Sequence, residues 1–294
     1  MAELLTRAQV RALLPARADD AHKGAFGHLL VLAGSRNYMG AAKLTCRAAQ
    51  RSGVGLVTCG VPYPLANVFS ASELETMCLR LPATEEESIA SAALEPALRF
   101  ARQVQAVVLG PGLSSVSGTR DFVHQFTQQC PVPLAIDADG LNALAERPAT
   151  LDHRAAAAVI TPHPGEMARL IHGDIAAVQR DRASIALEFS AQHQCVTVLK
   201  GHHTVIAAPD GRLAINGTGN HGLAKGGSGD ILAGLLGGLL AQGVPAFDAS
   251  CIAVFVHGLA ADLLLAESSA RGMTALDLIA ALPKAWRGLE SGDA

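Results

Sequence analysis

The segment "GNHGLAKGGSGDILAGLLGGLLAQG", Gly219 to Gly243, sets Gly226, Gly227, Ser228 and Gly229 in front of a single carboxylate, Asp230. The apolar residues that follow, Ile231, Leu232, Leu235, Leu236, Leu239 and Leu240, keep helical spacing, so the glycines form a loop feeding a helix N-terminus. Unpaired backbone N–H groups gather at such an end, and with the positive pole of the helix dipole they make an anion site that a phosphate can approach closely. Asp230 then has two readings. As a helix N-cap it would stabilise the helix by about 1 kcal/mol. As a general base beside a phosphoryl group it would take the proton of an attacking hydroxyl. A cap alone does not call for three glycines, and the cluster favours the second reading. The loop is neither a Walker loop nor the dinucleotide fingerprint G-x-G-x-x-G, and "GSRNYMGAA" further upstream is not that fingerprint either.

The elements that must position this loop are legible as short buried strands. "HLLVLAG" from His28, "GLVTCGV" from Gly55, "QAVVLG" from Gln105, "PLAIDA" from Pro133, "AAVIT" from Ala157, "CVTVLKG" from Cys195 and "TVIAAP" from Thr204 alternate mostly with helical stretches such as "GAAKLTCRAAQRSG". That order predicts a mostly parallel sheet covered on both faces, in one α/β domain spanning residues 1–294. "PDG" between two short strand-like runs predicts an antiparallel excursion over Thr204 to Asn216. The polar or glycine-rich loops "GSRNYMGAA", "GPGL", "DADGLN", "TPHPGE" and "KGHHT" each follow a strand, so they share the rim where open α/β sheets bind ligands.

Composition narrows the class of function. Of 294 residues half are hydrophobic and 17% charged, with net charge −3 and a pI near 6.4, and the basic residues are dispersed. That excludes a nucleic-acid footprint and favours small-molecule chemistry. The six cysteines stand singly, as expected of buried thiols in a reducing, cytoplasmic setting rather than of a zinc or dithiol site. The N-terminal "MAELLTRAQVRALLPARADD" reads as a short amphipathic helix, not a signal peptide. "CIAVFVHGLAADLLLA" is interrupted by His257 and Asp262 and reads as a buried helix rather than a membrane span.

Six blocks in order, "HLLVLAGSRNYMGAAKLTCRAAQRSGVGLV", "VLGPGL", "DADGLNAL", "TPHPGEMARL", "VLKGHHTVI" and "GNHGLAKGGSGDILAG", resemble the NAD(P)H-hydrate dehydratases of the ribokinase-like superfamily. His221 departs from the proline or alanine expected in many relatives. The resemblance implies a three-layer α/β/α ribokinase-like fold with a mostly parallel central sheet. It implies dehydration of the S epimer of C6-hydrated NADH or NADPH: a nucleotide, ADP with ATP as the alternative donor, phosphorylates the hydroxyl with Mg2+ present, and phosphate is then eliminated. By the same resemblance Asp230 is the catalytic residue. Ala41, Gly112, His163 and Asp230 meet the hydrate, while Lys200, Gly201, His202, His203, Thr204 and Gly229 meet the nucleotide. Gly226, Gly227, Ser228 and Gly229 form the anion hole, and Glu166 holds magnesium through water.

Simpler readings stand beside these. Glu166 would compensate the helix dipole after Pro164, His163 would be structural, Ala41 would pack, Gly112 would turn, and His202 and His203 would be solvated loop residues. Asp139 and Asn142 are expected to support the rim, with a helix cap as the alternative for Asp139. The remaining histidines, His257 among them, lack metal-ligand spacing and read as structural or surface residues. The resemblance further implies a homotetramer, and a separate epimerase as functional partner because only about twenty residues precede the match. Two other functions compete: a ribokinase-like kinase of a hydroxymethylpyrimidine, hydroxyethylthiazole or sugar, and a nucleotide-binding sensor without turnover.

Overall fold

A computed structural model describes residues 3–291; Met1, Ala2 and residues 292–294 lie outside it. Its ten strands are β1 (Glu3–Leu4), β2 (His28–Leu32), β3 (Leu56–Pro62), β4 (Met77–Leu81), β5 (Ala106–Leu109), β6 (Leu134–Ile136), β7 (Ala158–Ile160), β8 (Val196–Leu199), β9 (Val205–Ala207) and β10 (Leu213–Ile215). They form one sheet in the order β1-β10-β9-β8-β7-β6-β5-β2-β3-β4. All pairs from β8 through β4 are parallel, and β9 pairs antiparallel with both β8 and β10. The seven strands read from the sequence are present, and the "PDG" excursion is the β9–β10 hairpin.

Two strands escaped the sequence reading. β4, "MCLRL", lacks β-branched residues and lies at the sheet edge with Met77 exposed, so neither composition nor a continuous buried run announces it. The expected N-terminal helix is present over Arg7–Ala12, but it follows β1, which pairs parallel with β10 at Glu3↔Ala214.

The alternation of strand residues builds the two outer layers. Leu29 and Val31 of β2 face a core shared with helices Met39–Gln50, Ser228–Ala241, Ala246–Glu267 and Ala275–Ser291, whereas Leu30 and Leu32 face helices Leu94–Ala101, Ser117–Gln129, Asp139–Leu144 and Pro164–Leu170. The fold is thus the three-layer α/β/α arrangement. Helix Ser228–Ala241 lies directly on the sheet: a Cβ on Gly237 would stand 2.2 Å from Val108 Cγ2 of β5.

Helix Ala246–Glu267 is long and apolar enough to cross a membrane by length and composition, yet 67% of its most apolar window is buried inside the fold. It is a core helix, as its interrupting polar residues foretold. The chain runs outward from β2 to β3 and β4, then returns to β5 on the other side of β2. That reversal opens a crevice at the carboxyl ends of β2 and β5, and the loops after β6, β7 and β8 continue the same rim.

Candidate active site

At the centre of the rim stands an ion pair. Lys200, closing β8, places Nζ 2.7 Å from Asp137 Oδ1 and 3.8 Å from Glu166 Oε2. Asp137 directly follows β6 and Glu166 lies in the first turn of the helix after β7, so three adjacent parallel strands deliver the three groups. Burial alone would lower the Lys200 pKa, but Asp137 and Glu166 beside it outweigh that and hold the ammonium above its ordinary range. Ala138, next to Asp137, is held at φ +50°, a conformation that L residues adopt at a cost.

The glycine loop opens onto this pair. A Cβ on Gly229 would lie 3.4 Å from Lys200 Nζ and 3.5 Å from Asp137 Oδ2, which puts the helix N-terminus against the lysine. Gly227 is the N-cap at φ +92°, and a side chain there would also meet Leu44 and Ala275 at under 3 Å; only glycine satisfies both demands. The first helical bond runs from Ile231 N–H to Gly227 O at 3.2 Å, leaving the N–H groups of Gly229 and Asp230 at the helix opening. Asp230 is therefore the third helical residue, not the N-cap, and the capping reading does not describe it. Burial, then the charge of Asp137, raise its pKa to about 6 against the opposing pull of Lys200. A carboxylate so poised accepts a proton readily near neutrality.

Beside the pair lies a cavity of about 700 Å³. Its lining includes the predicted nucleotide loop, Lys200, Gly201, His202, His203 and Thr204, together with Ser228, Gly229 and His163. The loop is folded on itself: Thr204 Oγ1 donates to Gly201 O at 3.0 Å, and the rings of His202 and His203 stack at 4.1 Å. Ala41 and Gly112 occupy the neighbouring stretch of rim, over the β2/β5 crevice. A Cβ on Gly112 would approach Ala41 Cβ to 3.0 Å and Tyr38 O to 2.6 Å, at φ +65°. Asp139 braces this stretch by accepting from Ser114 N–H at 2.8 Å and from Asn142 Nδ2 at 3.1 Å. Its supporting role is thus as expected, whereas the N-cap position belongs to Ala138.

His163 and Glu166 form a reciprocal cap. His163 Nδ1 accepts from Gly165 and Glu166 N–H at 3.0 and 3.2 Å, and the Glu166 carboxylate accepts from His163 N–H at 2.7 Å. The ring therefore carries its proton on Nε2, and burial followed by the charge of Lys200 lower its pKa. Burial raises Glu166 to about 7, with Asp137 adding to the effect and Lys200 opposing it. Among the described residues no three His, Cys, Asp or Glu side chains converge as direct metal ligands. Asp137 and Glu166 nevertheless face a single lysine, and this excess of carboxylate suits a cation carried in by phosphates and water.

Several residues of the site were not singled out from the sequence. Spacing does not say which of two aspartates after a strand turns inward, and it is Asp137 that meets Lys200. His257, read as structural or surface, lies in the cavity wall, where Nε2–H donates to Ser228 O at 3.0 Å. Burial lowers its pKa to about 4, opposed by the Ser228 contact and aided by Lys200, so the ring is neutral. Asp262 accepts from Gly219 N–H at 2.8 Å and Asn220 Nδ2 at 3.0 Å, fixing the opposite wall. The signal was there: His257 and Asp262 interrupt an apolar helix, and buried polar groups need partners.

A three-layer fold with a glycine loop, a lysine and a carboxylate on the sheet rim defines a ribokinase-like protein. The sequence model of the NAD(P)H-hydrate dehydratase family matches residues 29–284, and the chain belongs to that family. It is 41% identical over 287 residues, 98% of the chain and 54% of the relative, to the bifunctional NAD(P)H-hydrate repair enzyme Nnr of Moorella thermoacetica. It is 39% identical over 286 residues, 97% and 98% of the two chains, to the ADP-dependent (S)-NAD(P)H-hydrate dehydratase of Bacillus subtilis. The crystal structure of the ADP/ATP-dependent dehydratase from B. subtilis, co-crystallised with ATP/Mg2+, superposes with a TM-score of 0.84 at 36% identity, covering 98% of this chain and 99% of that one. The chain spans about half the length of the bifunctional relatives it matches.

Proposed function

We propose that the chain is a single-domain, ADP-dependent (S)-NAD(P)H-hydrate dehydratase. The observation that carries this reading is the half-buried Asp230, with its raised pKa, at a helix opening shared with Lys200 and a nucleotide-sized cavity. Residues Lys200 to Thr204 and Gly229 take the nucleotide. Gly226 to Gly229 receive the transferring phosphoryl group. Ala41, Gly112 and His163 receive the hydrate on the β2/β5 side, His163 through its Nε2–H at the border of the two regions. Asp230 stands between them.

The chemistry balances. Asp230 takes the proton of the C6 hydroxyl as its oxygen attacks the terminal phosphorus of ADP, and AMP leaves. Hydroxide is a poor leaving group and phosphate a good one, so the ring nitrogen's lone pair then expels phosphate; loss of a proton from the adjacent carbon restores NADH or NADPH. The protein contributes position, a base, and N–H and ammonium groups aimed at the phosphoryl oxygens. Glu166, with Asp137 beside it, would hold Mg2+ through water, and the ion would offset phosphate charge. The ATP/Mg2+ in the B. subtilis crystal supports this assignment.

A cytoplasmic setting belongs to the proposal, supported by the six free cysteines. Assembly as a homotetramer is carried by the family resemblance alone. A functional partner, which we take to be an epimerase, is supported by the bifunctional name of the longer relatives. The purified protein should restore near-ultraviolet absorbance to NADH hydrate with ADP. A stable phosphorylated product from a hydroxymethylpyrimidine, and no NADH, would favour the kinase reading.

A further inference from the structure

Lys225, directly before the glycine cluster, has no role in the scheme above. Its main chain makes the turn into the helix: its N–H donates to Leu223 O at 2.8 Å and its carbonyl accepts from Ser228 N–H at 3.4 Å. Its side chain leaves the loop, and Nζ donates to the carbonyls of Arg271 at 2.7 Å and Met273 at 2.5 Å. Those carbonyls belong to a firm lead-in to helix Ala275–Ser291. Thr274 N–H and Oγ1–H donate to Asp277 Oδ2 at 2.8 and 2.7 Å, and Asp277 N–H returns to Thr274 Oγ1 at 3.3 Å.

The first residue of that helix meets the loop as well: a Cβ on Gly227 would stand 2.9 Å from Ala275. His257 holds the loop from the cavity side through Ser228 O. Between these two holds Gly226 has open space around it, with nothing within 4 Å of a built Cβ. An exposed lysine whose donors go to two main-chain carbonyls forty-odd residues away in sequence acts as a tether. An ammonium making two such bonds in one direction orders what it is attached to.

We propose that Lys225 is a positioning residue: it staples the glycine loop to residues 271–273 and so fixes the N–H groups that receive the transferring phosphoryl group. The inference rests on the phosphoryl-transfer reading of the site. Small displacements of such groups are expensive in rate, so the loss should appear in turnover more than in substrate affinity.

The test uses the full chain as Lys225→Met and Lys225→Arg, with hydrogen exchange on the peptide covering residues 223–232 and steady-state kinetics. Without nucleotide, exchange at Gly226 to Gly229 should be about fivefold faster in Lys225→Met, with the rest of the fold unchanged. Its kcat should fall about tenfold while KM for the hydrate moves by less than about threefold, and Lys225→Arg should recover at least half of the loss. Unchanged exchange and kcat in Lys225→Met would overturn the proposal. So would accelerated exchange across the whole fold with a matching drop in Tm, or an arginine variant no better than methionine. If Lys225→Met does not fold, the arginine variant decides: near-normal exchange and kcat support the staple, and losses confined to neither loop nor turnover refute it. A wild-type chain that forms no NADH would sink the functional reading, while the exchange result would still decide the staple.

Discussion

Replacing Asp230 by asparagine should make the protein more stable and nearly inactive at once. The carboxyl has a pKa of about 6 against an ordinary 3.8, so its ionised form is disfavoured by the fold. Keeping the carboxylate ionised in the fold costs about 3 kcal/mol once both folded and unfolded states are ionised. Asp230 is only half-buried, and solvent relaxation reduces this to about 1–2 kcal/mol. The raised pKa fixes the pH window: the cost is absent below the ordinary value, grows between pH 3.8 and about 6, and is complete above that. Asparagine is neutral throughout, so the variant should melt about 2–4 °C above wild type at pH 8 and show no advantage near pH 4. Removal of a general base should lower kcat by a factor of about 10² to 10⁴. Paired thermal melts at the two pH values and an NADH-formation assay test both halves. A variant no more stable at pH 8, or one with activity within tenfold of wild type, would refute the reasoning.

Because the base must be ionised, kcat/KM should rise with pH through about 6 and level off above it; a profile flat from pH 5 to 8 would argue against Asp230 as the base. Lys200→Met would leave Asp137, 3% exposed, without its cation, and chemical denaturation should show a loss of about 3 kcal/mol along with weakened ADP binding by calorimetry. Gly112→Ala places a methyl group 2.6 Å from Tyr38 O at a positive φ, so KM for the hydrate should rise about tenfold while ADP affinity measured by calorimetry stays within about twofold.

How far the sequence reached follows from what sequence patterns encode. Buried runs of Val, Ile and Leu marked every central strand, because parallel strands covered on both faces must be apolar throughout. β4, half-exposed at the edge, obeys no such rule, and β1 is too short to show a period. The rim is legible because polar and glycine-rich residues cluster where strands end, and Asp230, Lys200, His163 and Glu166 all lie in such loops or the helix starts that follow them. What a linear reading cannot supply is which neighbours in space share a charge. Asp137 and Asp139 lie two positions apart, and only the fold shows that Asp137 meets Lys200 while Asp139 turns to Ser114 and Asn142. His257 lay some thirty residues from the loop it supports, and Lys225 sat inside the quoted motif with its partners beyond position 270.

The central claim is that the hydrate's own oxygen is phosphorylated and leaves as phosphate, with Asp230 as the base. It is tested most directly by preparing NADH hydrate with heavy oxygen in the C6 hydroxyl, turning it over with ADP, and locating the label by mass spectrometry. The account predicts one labelled oxygen in each inorganic phosphate released, in step with the AMP and NADH formed. Label recovered in water, with unlabelled phosphate, would contradict it.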